Sequence, residues 1–130
     1  MSGPFAPQTL ALVALGGAFG CVARYVTVVG AARLFGTGFP WGTLAVNVAG
    51  SFVMGLLFVW LTTRGLTRFS PLLLAGMLGG FTTFSAYSLD TLLLWERGQA
   101  GLAALYAGAS VALSVGAVAA GAALMRGWLP

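Results

Sequence analysis

Four stretches of this 130-residue chain carry no charged side chain: residues 1–23, 34–63, 69–89 and 98–125. A helix needs about 20 residues to cross roughly 30 Å of hydrocarbon. Each stretch is long enough for one crossing, and the spacing predicts helices at about 9–30, 40–62, 69–95 and 101–125. The fold class that follows is an all-α integral membrane protein, with residues 1–130 forming a single four-helix transmembrane domain. Composition agrees, because charged residues make up 6% of the chain against about a quarter in a soluble domain.

What charge there is excludes several classes. The six basic residues are scattered arginines, whereas a nucleic-acid surface clusters its cations, so no nucleic-acid partner is expected. Cys21 has no second cysteine to pair with, and the chain has no histidine, so zinc would lack its usual ligands. The first apolar run lacks an early basic residue and outlasts a signal-peptide core, so it is expected to stay as a membrane helix. With four spans, Arg64, Arg68 and Arg126 lie on one side and Arg24, Arg33 and Arg97 on the other. This balance picks no orientation by the positive-inside rule and is compatible with insertion both ways, so that oppositely oriented copies could pair.

The third span holds the most unusual local chemistry, from Gly76 through Met77-Leu78-Gly79-Gly80-Phe81-Thr82-Thr83-Phe84-Ser85-Ala86 to Tyr87. Two adjacent glycines followed by hydroxyls weaken a helix in the middle of a leucine-rich segment. One reading is a broken helix, whose freed backbone groups meet protein, water or an ion. The other is a continuous helix in which Gly76 and Gly80 form a small-residue packing face.

Polar stripes run along two other spans. Thr43, Asn47 and Ser51 recur every four residues in the second, and so share one face. A buried Asn47 needs a partner, either in a pore or between helices. Tyr106, Ser110 and Ser114 form a similar track in the fourth, opposite Gly108, Ala112, Gly116 and Ala120, which read as a packing seam. A serine can bond its own i−4 carbonyl, so the track reads either as a polar path or as local satisfaction. Gly16 and Gly20 mark a close-contact face on the first span. Arg24 near its far end is either an interfacial anchor or part of an anion-attracting vestibule.

The only acids, Asp90 and Glu96, lie near the end of the third span. That argues against a small multidrug-type or proton-coupled exporter, which needs a central membrane acid. Neither a nucleophile–base pair nor a metal cluster is present for an enzyme. Hydroxyls, an amide, aromatic edges and helix-break dipoles remain, and these can donate hydrogen bonds to a small anion, or line its route, without carrying a fixed charge. The other alternative is a structural membrane protein whose stripes serve packing alone.

Three segments carry a family resemblance: Gly16-Gly17-Ala18-Phe19-Gly20-Cys21-Val22-Ala23-Arg24-Tyr25, the run from Gly42-Thr43-Leu44-Ala45-Val46-Asn47 through Gly50-Ser51-Phe52 to Gly55, and Gly76 to Ser85 with its Gly79-Gly80-Phe81-Thr82-Thr83-Phe84 core. They resemble the signature stretches of the small bacterial fluoride channels, the Fluc or CrcB family, and the resemblance touches all four spans. It implies a multi-pass protein of the bacterial cell membrane that exports fluoride passively and so relieves its toxicity. It further implies an antiparallel, dual-topology homodimer in membrane lipid, with a structural sodium ion at its centre. By the same resemblance, backbone oxygens of Gly79 and Thr82 hold the sodium, Arg24 belongs to a vestibule, and Asn47 is the pore asparagine. The fluoride path would run past Phe81, Thr83, Phe84, Ser85, Tyr87, Tyr106, Ser110 and Ser114. Tyr87 departs from the family, which commonly has Phe there.

Overall fold

The computed structural model describes residues 3–130. It is all-helical, and four helical spans are each long and apolar enough to cross a membrane. Helix α1 covers Pro7–Phe35 and α2 covers Trp41–Thr63. The third span is composite. A 3₁₀ turn at Thr67–Phe69 leads into π-helical winding over Pro71–Leu78 and a single α turn at Gly79–Phe81. Thr82 and Thr83 are extended, and helix α3 then occupies Phe84–Glu96. The last helix, α4, runs Ala100–Trp128.

Helix boundaries follow the breakers in the chain rather than its charges. Residues 31–40, expected as a loop, remain helical through Phe35, because Ala31, Ala32, Arg33, Leu34 and Phe35 offer nothing to stop a helix. Termination comes at Gly36, whose φ of 78° lies in the left-handed region that favours glycine. Pro40 precedes α2 and Pro71 opens the π-helical part of the third span, both positions where a missing N–H costs no helix bond. The helical turn at Arg126 also continues past the expected end at 125, to Trp128.

Packing pairs α1 with the first half of the third span, and α2 with α4. Glycines set both crossings. A Cβ on Gly16 would strike the Leu72 carbonyl and come within 2.8 Å of the Met77 nitrogen, and one on Gly20 would strike the Met77 carbonyl. The Gly16/Gly20 face therefore packs backbone to backbone against Gly76 and its neighbours, as small residues allow in a membrane. Between α2 and α4 the seam is Gly55 against Val118 and Gly121 against Phe52. The expected seam of Gly108, Ala112, Gly116 and Ala120 is not used within this chain. All four are exposed, and a Cβ on Gly108 or Gly116 would meet nothing within 4 Å. That face lies opposite Tyr106 and Ser110, which are buried; one helix cannot turn both faces inward.

The π winding has no forerunner in the sequence. Its signature is the Gly79 N–H, which reaches the Leu74 carbonyl five residues back. Such winding is rare and is found frequently at functional sites; here it leads straight into the interruption at Thr82 and Thr83.

Candidate functional site

Asn47 organises the interruption. Its Oδ1 accepts the Thr83 backbone N–H at 2.7 Å, and its Nδ2 donates to the Thr83 carbonyl at 2.9 Å. One amide side chain thus does for Thr83 what a neighbouring strand would do, and satisfies a residue with extended dihedrals inside an otherwise helical span. Thr83 then caps α3, its Oγ1 accepting the Ala86 N–H at 3.2 Å.

These bonds leave particular carbonyls without their helical partners. In an unbroken helix the Thr83 amide would close on Gly79, the Phe84 amide on Gly80, and the Ala86 amide on Thr82. Thr83 and Ala86 are instead engaged by Asn47 and Thr83 side chains. Gly80 has a replacement, since Arg24 Nε donates to its carbonyl at 2.9 Å. Arg24 therefore braces the interruption from α1, a role that neither the anchor nor the vestibule reading foresaw. The Gly79 and Thr82 carbonyls lack such a replacement from the i+4 amide. Gly79 is exposed and Thr82 half-buried.

Beside the interruption lies a cavity of about 340 Å³, lined by Asn47 and Ser51 of α2, Thr82 to Phe84 and Tyr87 of the third span, and Ser110, Val111, Ser114 and Val115 of α4. No charged side chain is among its lining residues. Helical hydroxyls elsewhere behave as expected in an apolar medium: Thr27, Thr62, Ser88 and Thr91 each donate to the carbonyl four residues back. Ser110 and Ser114 do not. Their Oγ atoms are buried without a hydrogen-bond partner among the described residues. An unmet buried hydroxyl costs about 1–3 kcal/mol, a cost that a hydrogen-bond acceptor in the cavity removes.

Aromatic rings continue the wall. Phe84 and Tyr87 have centroids 5.2 Å apart, tilted by 51°. The Tyr87 hydroxyl donates to the Ala107 carbonyl at 3.0 Å, so its proton is directed at the α4 backbone. Tyr87 then meets Tyr106 at 5.5 Å, and Tyr106 meets Phe39 edge-on at 5.5 Å.

The structure brings Asn47, Thr83, Phe84, Tyr87, Ser110 and Ser114 to one cavity. It places the remaining residues of the implied path elsewhere. Phe81 packs over Gly50, and Ser85 Oγ lies 3.3 Å from Thr83 Oγ1 in an exposed setting. Tyr106 is fully buried outside the cavity lining, and its hydroxyl donates to Asp90 Oδ2 at 3.1 Å. Asp90 and Ser51 were not singled out as site residues. Ser51 was legible as the third member of the Thr43/Asn47 stripe. Nothing in the sequence pairs Asp90 with Tyr106, sixteen residues away on another helix.

A family profile described as CrcB-like protein, Camphor Resistance (CrcB), matches residues 11–122. The chain is 60% identical over 122 residues to a protein of Cereibacter sphaeroides named fluoride-specific ion channel FluC, covering 94% of this chain and 98% of the relative. Proteins of the same name from Paracoccus denitrificans and a Ruegeria species are 55% and 52% identical, covering 92% and 93% of this chain and 96% and 97% of theirs.

Proposed function

The chain belongs to the CrcB family, and from that premise we propose that it is a fluoride channel, a multi-pass membrane protein that lets the anion run down its gradient. It is not an enzyme. The observation that carries the reading is the uncharged cavity holding two buried, unpartnered serine hydroxyls beside the Asn47 amide. Fluoride is small and strongly hydrated, so a narrow route must replace water with closely placed donors. Ser110 and Ser114 supply O–H groups, and Asn47 has a second N–H beyond the one given to Thr83. Donors without fixed charge hold an anion weakly enough to release it, which passive conduction requires.

Three finer features belong to the same proposal. The two-residue interruption is read as the family's broken third helix. The Gly79 and Thr82 carbonyls fit a sodium ion, because both are hard oxygens whose helical amides are engaged elsewhere. Two oxygens are too few for such a cation, so a second, antiparallel copy would complete the set. The outward Gly108–Gly116 face supports close approach of another helix. When bound, the ion would supply positive charge near the cavity without taking part in conduction.

Fluoride-electrode efflux from liposomes containing only this protein, with the proton gradient clamped, tests the function. No efflux refutes the channel, and efflux that stops under the clamp indicates an exporter. Cysteines introduced singly at Arg33 and Arg64 test topology; labelling of each from one side only in intact cells refutes dual insertion. Replacing sodium by N-methylglucamine should lower the thermal midpoint of the purified dimer, and an unchanged midpoint refutes the structural cation.

A further inference from the structure

Beyond the serine-lined cavity, on the far side of Tyr106, lies a second one of about 190 Å³. Tyr106 is the partition. Its ring rests on Tyr87, which lines the first cavity, and on Phe39, which lines the second, while its hydroxyl reaches Asp90 in the second cavity's wall. Thr43, from the same stripe as Asn47, also faces this outer space. The outer cavity is thus the continuation of the polar stripes toward the loops that join α1 to α2 and α3 to α4.

An anion entering here meets a carboxylate. Asp90 lines the outer cavity and also a smaller one of about 50 Å³ beside it. Arg97 is the one cation among the residues lining either space, and it lines both. Its side chain bridges the two loops, where Nη1 donates to the Thr37 carbonyl at 3.3 Å in an exposed setting. Gly98, with φ 75°, turns the chain immediately after it, which keeps Arg97 at the rim rather than continuing α3 outward.

We propose that Arg97 is the anion-capture residue of this mouth, offsetting Asp90 so that fluoride can approach the Tyr106 partition. The role rests on the channel reading given above. Asp90 accepts the Tyr106 hydroxyl and so orients the partition, and its negative charge is the electrostatic cost of that bond. Arg97 cancels this charge at the entrance without touching the narrow donors inside. The Thr37 tether positions the guanidinium, while the charge performs the capture.

Charge and tether separate by ionic strength. Electrostatic focusing in a cleft changes encounter rates by about 10–10³-fold, and its range shrinks from roughly 30 Å at 0.01 M salt to roughly 3 Å at 1 M. Fluoride efflux from liposomes is measured at a fixed fluoride gradient in about 0.01 M and about 1 M impermeant salt. Arg97→Gln should lower efflux about tenfold in low salt and little in high salt. Arg97→Lys, which keeps the charge, should restore most of the rate. Adding Asp90→Asn to Arg97→Gln should also restore it, since asparagine still accepts the Tyr106 hydroxyl. An Arg97→Gln loss that is equal at both salt concentrations and not rescued by lysine overturns the proposal in favour of the tether alone. Wild-type efflux from Arg97→Gln in low salt overturns it outright. Absence of fluoride efflux from the unmodified protein is distinct from these results, and refutes the channel reading beneath it.

Discussion

Replacing Asn47 by leucine separates two properties that one side chain combines. The substitution keeps the branched shape, in a somewhat larger side chain, and removes both hydrogen bonds to Thr83, at 2.7 and 2.9 Å. The Thr83 N–H and carbonyl are then left without partners in a half-buried site. Each unmet backbone group costs about 1–3 kcal/mol, so the fold should lose about 2–6 kcal/mol. Asn47→Asp keeps an acceptor for the Thr83 N–H, loses the donor, and should fall between leucine and wild type. The readout is the thermal midpoint of purified protein, with oligomeric state followed by size-exclusion chromatography. Efflux is measured in parallel: loss of a hydrogen bond to a charged species, about 1.5–3 kcal/mol, predicts a drop of roughly one to two orders of magnitude. An unchanged midpoint for Asn47→Leu would refute the clamp on Thr83. Wild-type efflux from the folded variant would return Asn47 to a purely interhelical role.

Ser110→Ala and Ser114→Ala offer the converse, since neither hydroxyl has a partner to lose: the midpoint should hold or rise slightly while efflux falls about tenfold each, and a large loss of stability would contradict their orphaned state. Tyr87→Phe deletes only the bond to the Ala107 carbonyl, so thermal stability should fall by about 0.5–1.5 kcal/mol with fluoride efflux preserved; a collapse of efflux would place that hydroxyl in the path. Gly50→Ala would press a methyl into the Thr82 side chain and to 3.2 Å from the Phe81 ring; overpacking of this kind costs about 1–3 kcal/mol, and a neutral thermal midpoint would mean that the interruption yields freely.

Much of the fold is legible in the sequence, and for a common reason. Four charge-free runs specify four crossings because hydrocarbon tolerates neither charge nor unpaired backbone. Periodicity of four shows which side chains share a helix face, so the Asn47/Ser51 and Ser110/Ser114 stripes and the Gly16/Gly20 contact were visible in the one-dimensional record. Periodicity does not say what a face meets. Tertiary packing alone decided that α4 turns its hydroxyls and Gly121 inward and leaves Gly108 and Gly116 outside. It also joined Asn47 to Thr83 across 36 residues, Arg24 to Gly80 across 56, and Tyr106 to Asp90 across 16. The glycine pair marked where the third helix is weak. The π winding before it and the two carbonyls released by Asn47 and Thr83 depend on which donors neighbouring helices bring to that point, and only the assembled bundle determines that.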